Sequence, residues 1–145
     1  MLNDKTIIVT GAASGIGRAC ARRLISENNR VVALDLDRDR LEAELGPETG
    51  KLKLVAGDVA RSETAQVATG RAVEAFGGVD CLAHFAAAHS KLNWEGADED
   101  EFTRILSTNV TGSFLMAKEA AKVMIDQGVK GSMVQTASGG VLMGG

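Results

Sequence analysis

A short apolar strand followed at once by a glycine-rich turn is the feature that most limits what this chain can fold into. Residues 6–10 read TIIVT, and Gly11, Gly15 and Gly17 follow directly. An uninterrupted β-branched run of this kind is typical of a strand buried on both faces, as in a parallel sheet. From Gly15 the apolar residues recur every three or four positions, which indicates an amphipathic helix. The sequence therefore predicts a strand, a tight turn and a helix in direct succession.

The same alternation of buried strand and helix continues along the chain. We predict further strands at residues 31–34, 52–57, 79–87 and 132–137. We predict helices at residues 38–45 and 65–76, and a long helix from about Asp98 to Asp126 with an apolar face formed by Phe102, Ile105, Leu106, Val110, Phe114, Ala117, Ala121 and Met124. Such alternation favours a parallel sheet with helices on both faces. We therefore expect an α/β fold in one domain over residues 1–145, a Rossmann-type doubly wound sheet of order 3-2-1-4-5 truncated after the fifth strand.

The composition argues against several classes of function. The formal net charge is −3 and no block of basic residues is present, so we expect neither nucleic acid nor a membrane as a partner. No apolar stretch reaches the ~18 residues of a membrane span, and the N-terminus does not resemble a signal peptide. We therefore expect a cytoplasmic protein. Cys20 and Cys81 lack the spacing of a metal site, so we expect buried free thiols and no bound metal.

The glycine turn has the features of a phosphate-binding site. Glycine lets the backbone approach a phosphate closely, and a helix N-terminus presents free N–H groups with partial positive charge. Asp35 follows the second strand at close to the ~20-residue separation at which an acidic residue binds the ribose hydroxyls of a dinucleotide. Because a carboxylate repels a 2′-phosphate, we expect NAD and not NADP. Two alternatives stay open: glycines needed only for the shape of the turn, and Arg38 or Arg40 folding back over the ribose.

The turn TGAASGIG at residues 10–17 resembles the TGxxxGIG turn of the short-chain dehydrogenase/reductase family, and further motifs match in order. The resemblance implies that cofactor is bound by Gly11, Ser14, Gly15, Ile16, Gly17, Asp35, Asp58, Val59, Phe85, Ala86 and Ala87. It implies that Asn109 holds a water in a proton relay and that Ser138 orients the substrate. The family commonly has Asn-Asn-Ala-Gly where this chain has residues 84–87, His-Phe-Ala-Ala. We expect His84 to be a packed, hydrogen-bonded residue and His89 to lie in a loop beside the cleft.

The resemblance further implies an NAD-dependent oxidoreductase that acts on an alcohol or carbonyl compound. In this family a tyrosine transfers the proton, aided by a lysine one helical turn later, and both are expected beyond Gly145. Residues 1–145 contain no tyrosine, so we expect this N-terminal half to bind cofactor and to be inactive by itself. The alternatives are a nucleotide-binding module without catalysis and an assembly partner. A second copy or a complementing chain would then pair with the exposed long helix and the open fifth strand.

Overall fold

Five short strands, each rich in β-branched or apolar residues, alternate with helices in the computed structural model, which describes residues 2–138. The strands are β1 (Thr6–Thr10), β2 (Arg30–Asp35), β3 (Leu52–Ala56), β4 (Cys81–His84) and β5 (Ser132–Gln135). The helices are α1 (Gly15–Ser26), α2 (Arg38–Leu45), α3 (Ser62–Phe76), α4 (Glu99–Leu106) and α5 (Gly112–Asp126). A π-helical turn, Ser107–Thr111, joins α4 directly to α5.

The strands form one parallel sheet in the order β3-β2-β1-β4-β5. This confirms the predicted fold class and strand order. The fourth strand is shorter than predicted, because its ladder ends at His84. The next two backbone N–H groups, of Phe85 and Ala86, donate to the hydroxyl of Thr10 instead of continuing the strand pairing.

Two hydrophobic layers cover the sheet, one on each face. The layer under α3 and α5 contains Ile8, Val32, Leu34, Leu82, Ala65, Ala68, Ala72, Met116, Ala120 and Met124. The layer under α1 and α2 contains Ile7, Val9, Val31, Ala33, Leu54, Ala21, Leu24 and Leu41. Successive side chains of a strand point to opposite faces, so neighbouring residues of β1 divide between the two layers. The many alanines on the helices let them lie close to the sheet.

The long helix differs from the prediction in its buried face. The predicted face was wrong at Phe102, Leu106, Val110 and Phe114, whose side chains are exposed. The residues of α5 that face the core are Gly112, Met116, Ala120 and Met124. A Cβ at Gly112 would lie 2.7 Å from a methyl carbon of Val59, so only a very small residue fits at this helix start. The π-helical turn shifts the register before that point, and α4 contributes no buried residue.

Both cysteines are free thiols, but each is half-buried and not fully buried as expected. Burial raises the pKa of the Cys20 thiol and of the Cys81 thiol, which keeps both in the less reactive protonated form. Within residues 2–138, no helix combines the length and the apolar character needed to cross a membrane. No cluster of three or more metal-ligating side chains occurs in the same part of the chain.

Gly17 provides a test of how tightly α1 packs against the preceding turn. A Cβ there would collide with the Gly11 carbonyl and lie 2.9 Å from the Thr10 oxygen. We expect Gly17→Ala to lower the free energy of unfolding by about 1–3 kcal/mol through overpacking. Gly70 is the matched control, because it lies inside α3 with no atom within 4 Å of an added Cβ. Gly70→Ala should raise stability by about 0.5–1 kcal/mol in urea unfolding, and equal effects of the two substitutions would contradict the packing argument.

Candidate functional site

The carboxyl ends of the strands open into a cleft of about 620 Å³. Of the predicted site residues, the cleft brings together Gly11, Ser14, Gly15, Ile16, Gly17, Asp35, Val59, Phe85, Ala86, Ala87, Asn109 and Ser138. The sequence did not single out other lining residues, which are Leu34, Leu36, Gly57, Thr108, Ser113, Thr136 and Ala137. Most of these residues follow a strand end or lie near Asn109 along the chain. That position was the only sequence signal that could have identified them as lining the cleft.

Glycine occupies each of the three positions in the turn for a different physical reason. Gly11 has a φ of +66°, and a Cβ there would lie 2.9 Å from the nitrogen of Ala86, so the turn packs directly on the end of β4. Gly17 is required by the contact with Gly11 described above. Gly15 has a φ of +50°, yet a Cβ there would meet no protein atom within 4 Å. Close packing therefore explains Gly11 and Gly17, whereas Gly15 has a left-handed backbone conformation that favours glycine and faces the open cleft.

The N-terminus of α1 opens toward the same cleft. Ser14 occupies the capping position, but its side chain accepts no hydrogen bond from the helix, and the first turn has no acidic residue. The first N–H groups of a helix have no partner within it and carry partial positive charge. This end of α1 has the donors and the free space that an anionic group requires.

Asp35 joins the end of β2 to the glycine turn. Its Oδ2 accepts from the N–H of Ala13 at 2.9 Å and its Oδ1 accepts from the N–H of Leu36 at 2.8 Å. An ionised carboxylate has about four acceptor positions, so two remain available. The carboxylate is therefore held in a fixed position on the cleft wall with capacity for further donors.

Arg38 does not fold toward the cleft in this structure. Its Nη1 donates to the carbonyl of Leu54 at 2.6 Å, and its Nη2 lies 3.5 Å from Glu48 Oε1. Glu48 also accepts from the N–H of Leu54, and this hydrogen bond, together with Arg71 and Arg38, lowers the pKa of its carboxyl. The side chains of Arg38 and Glu48 thus satisfy the outward peptide groups of β3, the edge strand.

Asn109 lies in the π-helical turn and anchors the loop after β4. Its Oδ1 accepts from the N–H of Ala88 at 2.7 Å, and its Nδ2 donates to the carbonyl of Ala88 at 2.9 Å. Its backbone carbonyl accepts from Ser113 Oγ at 2.7 Å. π-helical turns often occur at functional sites. The amide side chain is therefore paired with both backbone groups of Ala88, and this pairing fixes the loop that lines the cleft.

Asp58 is the one predicted site residue within residues 2–138 that does not line the cleft. Its carboxylate accepts from the N–H of Ala60 at 2.9 Å, so it stabilises its own turn. Its neighbour Val59 does line the cleft and is buried. A contact between Asp58 and an adenine ring stays a prediction.

His84 is packed and hydrogen-bonded. The residue is 2% exposed, and its Nδ1 lies 2.9 Å from Thr10 Oγ1. Burial lowers the pKa of the imidazole, which favours the neutral form. His89, by contrast, lines the cleft, and its carbonyl accepts from Arg104 at 3.1 Å.

Comparison with known proteins decides the family. Residues 5–145 match the family described as short chain dehydrogenase. The chain belongs to the short-chain dehydrogenase family. The TGxxxGIG turn that suggested the resemblance forms the part of the cleft at the start of α1.

Two curated relatives of this chain are named for their substrates. The chain is 35% identical over 144 residues to 2,5-dichloro-2,5-cyclohexadiene-1,4-diol dehydrogenase of Sphingobium indicum. This match covers 99% of the chain and 58% of the relative. The chain is 32% identical over 152 residues to L-rhamnose 1-dehydrogenase (NAD(P)(+)) of Azotobacter vinelandii, covering 100% of this chain and 59% of the relative. The chain thus spans less than two thirds of the length of these relatives.

A solved structure of a related enzyme has a similar fold. The 3-ketoacyl-(acyl-carrier-protein) reductase of Brucella melitensis, complexed with NADH, has a TM-score of 0.86 and 29% identity to this chain. The match covers 97% of this chain and 60% of the reductase.

Proposed function

We propose that residues 1–145 form the NAD-binding part of a short-chain dehydrogenase that interconverts an alcohol and a carbonyl compound. The observation that carries this proposal is the uncapped N-terminus of α1, which opens into the cleft at Gly15. A helix N-terminus with a glycine whose missing side chain leaves free space suits a pyrophosphate. Bound NAD would supply the hydride acceptor for oxidation of the alcohol.

The preference for NAD over NADP belongs to the same proposal. Asp35 keeps acceptor capacity for ribose hydroxyls, and its negative charge disfavours a 2′-phosphate. Arg38 and Arg40 are the basic residues that could offset this charge, and the guanidinium of Arg38 is engaged at Leu54 and Glu48. The relatives named above include one that uses NAD(P)+ and one complexed with NADH, which supports a nicotinamide cofactor.

Two further residues have roles in the proposal. Ser138 lines the cleft beside Ala137 and would orient the substrate. Asn109 would contribute through its backbone carbonyl to a proton relay, because its side chain is already paired with Ala88. That carbonyl accepts from Ser113 Oγ, so a water would share it with the serine hydroxyl.

The cofactor assignment is tested by adding one methyl group to the cleft. We expect Gly15→Ala to weaken NADH binding by about tenfold or more in a fluorescence titration, because the methyl occupies space beside the phosphate-binding turn. Gly128→Ala is the matched control, since Gly128 also has a positive φ and no atom within 4 Å of an added Cβ, but does not line the cleft. Both variants should lose about 1–2 kcal/mol of stability from backbone strain. Equal NADH affinity in the two variants would refute a pyrophosphate at Gly15.

The cofactor preference is tested by removing one charge at a time. We expect the chain to bind NAD more tightly than NADP, and Asp35→Asn to reduce that preference by about tenfold, a change that a single charge near a phosphate can produce. Asp37→Asn is the control, because it removes the same charge two positions away and asparagine caps α2 as well as aspartate does. Calorimetric titration with both cofactors gives the ratio. A preference unchanged in Asp35→Asn would show that another group sets it.

Two exposed features of the structure support a complementing chain or a second copy as a partner. All four residues of β5 are exposed at the edge of the sheet, although the other four strands are largely buried. An apolar stripe on the outer side of the long helix comprises Phe102, Leu106, Val110 and Phe114. An open edge strand pairs readily with another strand, and a contiguous exposed apolar stripe is typical of a protein–protein interaction site. A cytoplasmic location stays a prediction from the sequence.

Measurement of enzymatic turnover tests whether activity requires the tyrosine that residues 1–145 do not contain. We expect residues 1–145 by themselves to show no NADH formation with secondary alcohols, since no tyrosine is present and general acid catalysis is worth about 10²–10⁴-fold. Adding the family portion that this chain does not span, as a separate polypeptide, should produce activity.

The same portion with its tyrosine changed to phenylalanine should not produce activity. Phe114→Glu should block complementation, and Val67→Glu, at an exposed apolar position on α3, should not. Turnover by residues 1–145 alone would disprove the proposal.

A further inference from the structure

The hydroxyl of Thr10 has three hydrogen-bonding neighbours at the end of β1. Its Oγ1 accepts from the backbone N–H of Phe85 and of Ala86, each at 3.1 Å. The third neighbour is Nδ1 of His84, at 2.9 Å. A threonine hydroxyl has two acceptor lone pairs and one proton. The two backbone donors use both lone pairs, so the hydroxyl proton can only be donated to Nδ1.

This count fixes the protonation of His84. If Nδ1 carried a proton, the Thr10 oxygen would face three donors with two lone pairs, and its own proton would have no acceptor. Nδ1 is therefore the unprotonated nitrogen, and in a neutral imidazole the proton lies on Nε2. The imidazolium form is disfavoured for the same reason, and burial acts in the same direction because it lowers the pKa of this ring.

We infer that His84, fixed as the Nε2–H tautomer, acts through Thr10 as a positioning residue for the backbone of Phe85 and Ala86. By accepting the hydroxyl proton, it orients the two lone pairs of Thr10 toward these N–H groups. Phe85 and Ala86 line the cleft, whereas His84 does not. For cofactor binding this inference rests on the proposed function, but the tautomer and the loop contact do not depend on it.

The packing around Thr10 leaves little room for another arrangement. A Cβ at Gly11 would lie 2.9 Å from the nitrogen of Ala86 and 3.0 Å from the carbonyl carbon of Phe85. The hydroxyl contact therefore lies directly beside the close packing of the glycine turn against the cleft wall. Nε2 is buried and has no hydrogen-bond partner among residues 2–138. The polar role of the His84 ring within this part of the chain is accordingly limited to Nδ1.

The tautomer can be observed directly by ¹⁵N NMR of the full chain, because the sequence has only two histidines. The His84 signals are identified by their absence from the spectrum of His84→Asn. We expect a pyrrole-like Nε2 and a pyridine-like Nδ1 near neutral pH. A protonated Nδ1 would overturn the assignment, and this readout requires no cofactor.

The positioning role is tested with two variants of His84. Asparagine places Oδ1 on Cγ where histidine has Nδ1, so His84→Asn keeps an acceptor for the Thr10 proton. Leucine removes the acceptor at similar size. We expect the amide protons of Phe85 and Ala86 to exchange with solvent about tenfold faster in His84→Leu, and to stay protected in His84→Asn. A purely packing role for the ring would instead affect the two variants alike, and that result would overturn the inference.

Substitutions of Thr10 give the same comparison if His84→Leu does not fold. Thr10→Val removes the hydroxyl without changing shape, and Thr10→Ser keeps it. Faster exchange at Phe85 and Ala86 is expected only for valine, and equal exchange in the two variants would contradict the role of the hydroxyl. NADH affinity should fall with the same pattern. If the parent chain does not bind NADH, the proposed function fails, while the NMR and exchange results still decide this inference.

Discussion

The close contact between the turn after β1 and the end of β4 is the constraint on which the rest of the structure depends. Gly11 is in van der Waals contact with the backbone at Phe85 and Ala86, and Thr10 binds the same two N–H groups. This contact coincides with the end of the β4 pairing at His84. The cleft exists because two strand ends are held together while the chain diverges on either side of them.

The residues around the cleft are fixed before any ligand arrives. Asp35 is bonded to Ala13 in the glycine turn, and Asn109 is bonded to both backbone groups of Ala88. Each of these polar side chains therefore connects two segments that are distant in sequence. Such preorganisation reduces the conformational entropy that is lost when a ligand binds. The same hydrogen bonds explain why Asn109 is accommodated in a helix, where asparagine is usually unfavourable.

The two edges of the sheet contrast with each other. At β3 the side chains of Glu48 and Arg38 bind the outward N–H and carbonyl of Leu54. At β5 all four residues are exposed. An edge whose peptide groups are bonded by side chains resists further pairing, whereas an open edge favours it. Within the part of the chain that the structure describes, β5 is therefore the edge at which the sheet can be extended.

The sequence by itself determined the element types and the strand order, and twelve of the thirteen site residues that it predicted line the cleft, from Gly11 to Asn109 and Ser138. These follow from periodicity and from the glycine turn, which are local properties of the chain. Tertiary structure alone decided that Arg38 binds the β3 edge and that Thr10 and His84 meet. It also placed Phe102 and Phe114 outside the core. Each of these outcomes depends on contacts between segments far apart in sequence, which no local pattern encodes.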